Sequence, residues 1–211
     1  VFADDLDMDV LAGNLAQEQA AAMTITNGFD LTASGSMALS SITSQEGDIS
    51  ITAGGALTDA SPTRETSVIT TSATDATVTI QASQIGSASE IGEVEIKSGH
   101  VNSLTATAGG IFVELKKGGD LGATTATGDI EITQTLGSLT LTDAVSSSAG
   151  AVEFTTVGGL IMGAGSTITA RDGAVLDAQG GDLALTSVTV TGLGPDTAVS
   201  SLSASGDITD V

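Results

Sequence analysis

Residues 47–60, GDISITAGGALTDA, return at residues 128–144 as GDIEITQTLGSLTLTDA. Each copy opens with Gly and Asp, runs through an alternating aliphatic pair, reaches a second Gly and a Leu, and closes on Thr-Asp-Ala. A recurring phrase of this length constrains the fold strongly, because similar units stack on one another. The opening recurs at Gly47 (Ile49, Ile51), Gly92 (Val94, Ile96), Gly109 (Ile111, Val113), Gly128 (Ile130, Ile132), Gly150 (Val152, Phe154) and Gly181 (Leu183, Leu185). Looser copies place Met23 and Ile25, then Val78 and Ile80, in the paired positions, and a truncated copy starts at Gly206. From Gly92 to Gly150 the anchors lie 17, 19 and 22 residues apart. The steps on either side are longer and leave room for a further turn or an inserted loop.

A second Gly follows and introduces a Leu two positions on: Gly55 with Leu57, Gly119 with Leu121, Gly137 with Leu139, Gly158 with Leu160. Each unit therefore holds at least two short strands, each preceded by a glycine corner. Period-two alternation puts aliphatics on one face and Ser50, Glu95, Glu131 or Glu153 on the other. The expected fold is all-β: a parallel β-helix, or β-solenoid, with coils of roughly 18–30 residues. The aliphatic pairs are expected to form one continuous ladder. An antiparallel sandwich of short strands is the competing fold. Residues 1–22 are set apart from the array at 23–211. Within them, LAGNLAQEQAAAM (residues 11–23) suits either a short capping helix or an irregular first coil.

Composition narrows the setting. There are four Phe, no Tyr and no Trp, so the core is built from Ile, Val, Leu and Ala, which suits a narrow solenoid interior. Five Lys and Arg against 26 Asp and Glu give a net charge of −21, which repels nucleic acid and anionic lipid. No apolar run approaches a membrane span, so membrane insertion is not expected. The absence of Cys decides nothing about the compartment. Starting at Val1 and stopping within a fresh copy, the chain reads as an excerpt of a longer one.

The phrases GDISITAGGALTDA, GDIEITQTLGSLTLTDA and GGDLALTSVTVTG resemble the repeats of filamentous-haemagglutinin-like bacterial surface adhesins, in which Gly-Asn/Asp-aliphatic-x-aliphatic-Thr alternates with Ala-Gly-Gly-x-Leu. The resemblance runs from about residue 23 onward. It implies a right-handed parallel β-helix, export to the bacterial cell surface, and a structural or adhesive rod whose partner is a host-cell, polysaccharide or self surface. This chain carries Asp48, Asp129 and Asp182 where the family often has Asn, and it has no Arg-Gly-Asp tripeptide. Two other readings stay open. One is a subunit that stacks end to end into a filament or surface layer, since an unpaired terminal coil is a sheet edge. The other is a polysaccharide-active enzyme.

No catalytic residue is expected. The bases are Arg64, Lys97, Lys116, Lys117, Arg171 and His100, which read as lone charges at corners, with no Tyr or Trp to stack on a sugar. One His without Cys makes no zinc site. Asp5, Asp7 and Asp9 have the spacing that opens an EF-hand loop, but Val10 and Ala16 occupy its Gly and Glu positions. The same letters read as a strand with Leu6, Met8 and Val10 inward. Calcium is the one ion the sequence suggests, with Asp5, Asp7, Asp9, Glu131 and Glu153 as its candidates. Equal offsets from Gly92 and Gly109 place Lys97 beside Glu114 as an exposed ion pair, and Glu131 beside Glu153. The Thr-x-Thr pairs, such as Thr77/Thr79, Thr140/Thr142 and Thr167/Thr169, fall at different places in the unit and are not expected to stack.

Overall fold

The computed structural model describes residues 5–18, 21–60, 69–88, 92–192 and 200–211. It is a β-solenoid with coils of about 22 residues, and the described residues hold no helix. Two thirteen-stranded sheets run along the axis, and every strand pairing among the described residues is parallel, which excludes the sandwich. Leu6 stands beside Phe29, Phe29 beside Ile49, Ile49 beside Val78, and Val78 beside Val101. The ten ladder residues Ile49, Ile51, Val94, Ile96, Ile111, Val113, Ile130, Ile132, Val152 and Phe154 are all buried. Burying such side chains contributes about 1.5–3 kcal/mol each.

The cross-section has one long side and two short ones, and the long side changes sheets part-way along the axis. Early in the chain the first sheet supplies it, as Leu6–Val10, Phe29–Ala33, Ile49–Ala53 and Thr77–Ala82. The second sheet then holds the short sides, such as Met37–Leu39 and Ile42–Ser44. Later the second sheet supplies the long side, as Ile111–Leu115, Ile130–Gln134, Val152–Thr156 and Ala174–Ala178. The first sheet now carries short sides, such as Leu139–Leu141 and Val145–Ser147. The repeated phrase thus encodes a long side, a glycine corner and a short side. Its copies at Gly47 and Gly128 lie in opposite sheets.

The first sheet makes the exchange by gaining residues. Thr79 alone separates the inward Val78 and Ile80. Asn102 and Ser103 separate Val101 from Leu104, with Asn102 as the bulged residue. Three residues, 142–144, then separate Leu141 from Val145. The second sheet straightens in one step. Ile85 and Val94, from separate strands, pair with Ile111 and Val113 of a single strand.

This exchange corrects two expectations, and the N-terminal strands correct a third. The aliphatic pairs form two ladders: Ile49/Ile51 and Val78/Ile80 belong to the first sheet, as do Leu183/Leu185, while Ile111/Val113, Ile130/Ile132 and Val152/Phe154 belong to the second. Val94 and Ile96 pair with Val113 and Leu115 rather than Ile111 and Val113, a shift of two residues. Finally, the array does not start at residue 23: of the two readings of residues 11–23, the described part follows the first coil and not the capping helix. The strands Leu6–Val10, Leu15–Ala16 and Met23–Ile25 already form a coil on which the next one stacks.

Corners follow from the close stacking. A Cβ on Gly158 would lie 2.1 Å from the Gly137 carbonyl oxygen, and one on Gly119 would lie 1.9 Å from that of Gly99, so neither corner accepts a side chain. The Asp that follows Gly in the phrase ties each corner to the next coil. Asp48 Oδ1 accepts from the Thr77 N–H at 2.7 Å, Asp129 Oδ1 from Ala151 at 2.8 Å, and Asp182 Oδ1 from Asp207 at 2.9 Å. Asn would offer the same acceptor.

Substitutions at two positions test this architecture by chemical denaturation. Ile130→Asp places a carboxylate between Ile111 and Val152 and is expected to cost more than about 4 kcal/mol. Asp129→Ala should cost about 1 kcal/mol and Asp129→Asn much less, since only the alanine leaves the Ala151 N–H without its acceptor.

Candidate functional site

The acids proposed for calcium do not come together. Leu6, Met8 and Val10 turn towards the core, and Asp7 and Asp9 are exposed along the strand. Asp5 is a corner acceptor for the Gly28 N–H at 3.0 Å. Glu131 and Glu153 do stand side by side, as their equal offsets require. Burial, then the charges of Glu153 and Asp129, hold the Glu131 carboxyl above its ordinary range. Among the described residues no group of three or more His, Asp or Glu is arranged to hold a metal ion.

A denser charged cluster lies where the second sheet straightens. Glu95 stands directly beside Glu114, and each is only 2% exposed although both point away from the core. Lys116 Nζ lies 2.8 Å from Glu114 Oε1 and 3.3 Å from Glu95 Oε1. Glu93 is buried as well. Burial pushes the Glu95 carboxyl up to about 7; Lys116 opposes the rise, while Asp59 and Glu114 add to it. Burial also works against the Lys116 ammonium, but Glu114 and Glu95 prevail and hold its pKa above the ordinary value. The expected Lys97–Glu114 pair does not form: the two-residue shift sets Lys97 beside Thr70.

Sequence reasoning treated Glu95, Glu114 and Lys116 as solvated. The overlooked signal is Phe112, an aromatic at an outward position two residues before Glu114. Every residue of Ile111–Leu115 is buried, so this strand is covered on both faces.

His100 opens the strand His100–Ala106, and its Nδ1 lies 3.1 Å from Asp120 Oδ2. The pair borders a cleft of about 360 Å³, lined also by Asp75, Thr77, Asn102 and Thr142, beside the Asn102 bulge. Asn102 Nδ2 donates to Thr79 Oγ1 at 3.2 Å. Of the other bases, Lys97 is exposed, and Arg171 Nε lies 4.0 Å from Asp172 Oδ1, both of them well exposed. Arg64 lies outside the described residues.

Hydroxyls, in contrast, do stack. Thr52 stands beside Gln81, Gln81 beside Thr105, and the column continues through Thr125, Ser146, Thr169 and Thr189. A second column two residues upstream starts at Ser50 and Thr79, continues at Ser103, Ala123, Ala144 and Thr167, and ends at Ser187. The Thr-x-Thr pairs named above do not stack pair on pair, as expected: Thr77 and Thr140 share the row of His100 and Asp120, whereas Thr169 lies in the column of Thr105. With the first sheet continuous through the exchange, Thr105, Thr169 and Thr189 share one column.

Comparison with protein-family models, with curated proteins and with solved structures finds no match. No helix of the described residues is long and apolar enough to cross a membrane.

The charged cluster yields a pH prediction. A carboxyl raised in the folded state favours folding while protonated, so its contribution falls as pH rises from about 4.5 to about 7. Urea titrations should show wild-type stability declining across that window more steeply than that of Glu95→Gln. Parallel curves for the two proteins would contradict the assignment of the titration to Glu95.

Proposed function

We propose that this chain is a structural rod segment of a large exported bacterial surface protein, serving as an adhesive or spacing shaft without catalysis. The observation that carries the reading is the uninterrupted pair of parallel sheets around one aliphatic core, from Leu6 to Ile208. Such a body is stiff because each coil is tied to the next by backbone hydrogen bonds and side-chain stacking at every side. Its acidic surface keeps it soluble and turns away nucleic acid and anionic lipid. The resemblance of its phrases to adhesin repeats points to the same setting.

Surface proteolysis of intact source cells, followed by peptide mass spectrometry, tests the shaft reading. Peptides of this chain should be released before lysis. Their appearance only after lysis would contradict export. Light scattering should give a mass independent of concentration, and a mass that grows with concentration would favour the filament subunit.

A further inference from the structure

We propose that the outer face of the first sheet between Ser50 and Thr189 is an ice-binding surface. This inference goes beyond the shaft reading and does not depend on it. The face is a two-dimensional array. Its two columns advance by about 4.8 Å per rung along the axis, and positions within a rung lie about 6.7 Å apart, two residues along a strand. Both spacings are close to oxygen repeats of hexagonal ice. Eleven of the fourteen positions carry a hydroxyl, and the other three are Gln81, Ala123 and Ala144.

Charge supplies the second, independent observation. In a chain of net charge −21, none of these seven consecutive rungs carries a charged residue in either column. Of the acids of the same sheet, Asp7 and Asp30 precede its first rung, Asp120 lies beyond the Gly122 bulge position, and Asp143 flanks the array beside Ala144 without occupying either column. An ionised group holds its own hydration shell and resists incorporation into a lattice. A hydroxyl both donates and accepts, as each water in ice does. The threonine methyl groups between the hydroxyls leave the adjoining water little choice but to bond along the surface. The array is also rigid, because its backbone groups are committed to the parallel ladder and its inward neighbours are fixed in the core.

Other partners fit less well. A charged polymer finds no countercharge on this face. A neutral polysaccharide finds no aromatic ring in either column.

The test is partition of purified protein into slowly grown polycrystalline ice, with melting followed in parallel by circular dichroism. Wild type should be taken up into ice. Thr125→Lys, at an exposed central rung, should lose uptake with an unchanged melting midpoint, and Thr189→Lys provides a second such variant should the first fold poorly. Thr155→Lys, on the opposite sheet, should be taken up like wild type. Exclusion of wild type from ice, or equal uptake of all the variants, would overturn the proposal. So would capture by an insoluble neutral polysaccharide with no uptake into ice.

Discussion

Each coil is joined to the next by parallel backbone hydrogen bonds, and these impose one step of about 4.8 Å along the axis at every point of the perimeter. Sides meet that step readily. Corners do not, because the chain must turn there while its neighbours above and below turn at the same height. Gly137 and Gly158 answer the constraint with bare backbone, since a Cβ on Gly158 would collide with the carbonyl below. Asp48, Asp129 and Asp182 answer it differently, each lending a carboxylate oxygen to an N–H of the following coil. The Gly-Asp that opens the phrase is therefore a corner device, and part of the chain's acidity is structural.

The same step explains the core. An interior only one side chain deep has room for Ile, Val and Leu in stacked ladders, and Phe154 is the largest side chain fully buried within it. Because the step is constant, the cross-section changes shape only by moving residues between side and corner. The bulge at Asn102 and the merging of Ile85 and Val94 onto one strand are the two halves of that movement. Around it gather the features that depart from a plain rod: the buried Glu95–Glu114–Lys116 cluster and the His100–Asp120 cleft. The hydroxyl columns, in contrast, pass through the exchange without losing register.

Strand positions, the inward residues and the glycine corners were legible in the sequence, because alternation and a repeated phrase report directly on what lies inside. Glu131 and Glu153 were placed correctly for the same reason: no exchange intervenes between them. Legibility stopped at the exchange. A phrase states that a long side begins but not which sheet it joins, so Lys97 was assigned to the wrong neighbour and the threonine column was missed. Of the two readings of residues 11–23, the capping helix rested on the propensities of Ala, Gln and Leu, and the first coil on the stacking of repeats. Stacking prevailed there, since Leu15 pairs with Met37 and Met23 with Ile42. The buried acids were misread because outward positions were equated with solvated ones.

Disulfide trapping tests the exchange of the long side most directly, because the chain has no native cysteine. Gln81→Cys is combined in turn with Thr105→Cys and with Lys97→Cys, and cross-linking under mild oxidation is read by mass spectrometry. Disulfides form when the Cα atoms lie roughly 4.4–6.8 Å apart. Gln81 stands beside Thr105 in the first sheet, whereas Lys97 lies in the second. Rapid cross-linking of the 81–105 pair and none of the 81–97 pair is the predicted result. Cross-linking of Gln81→Cys with Lys97→Cys instead would mean that successive phrases stack directly on one another, and that the long side never changes sheets.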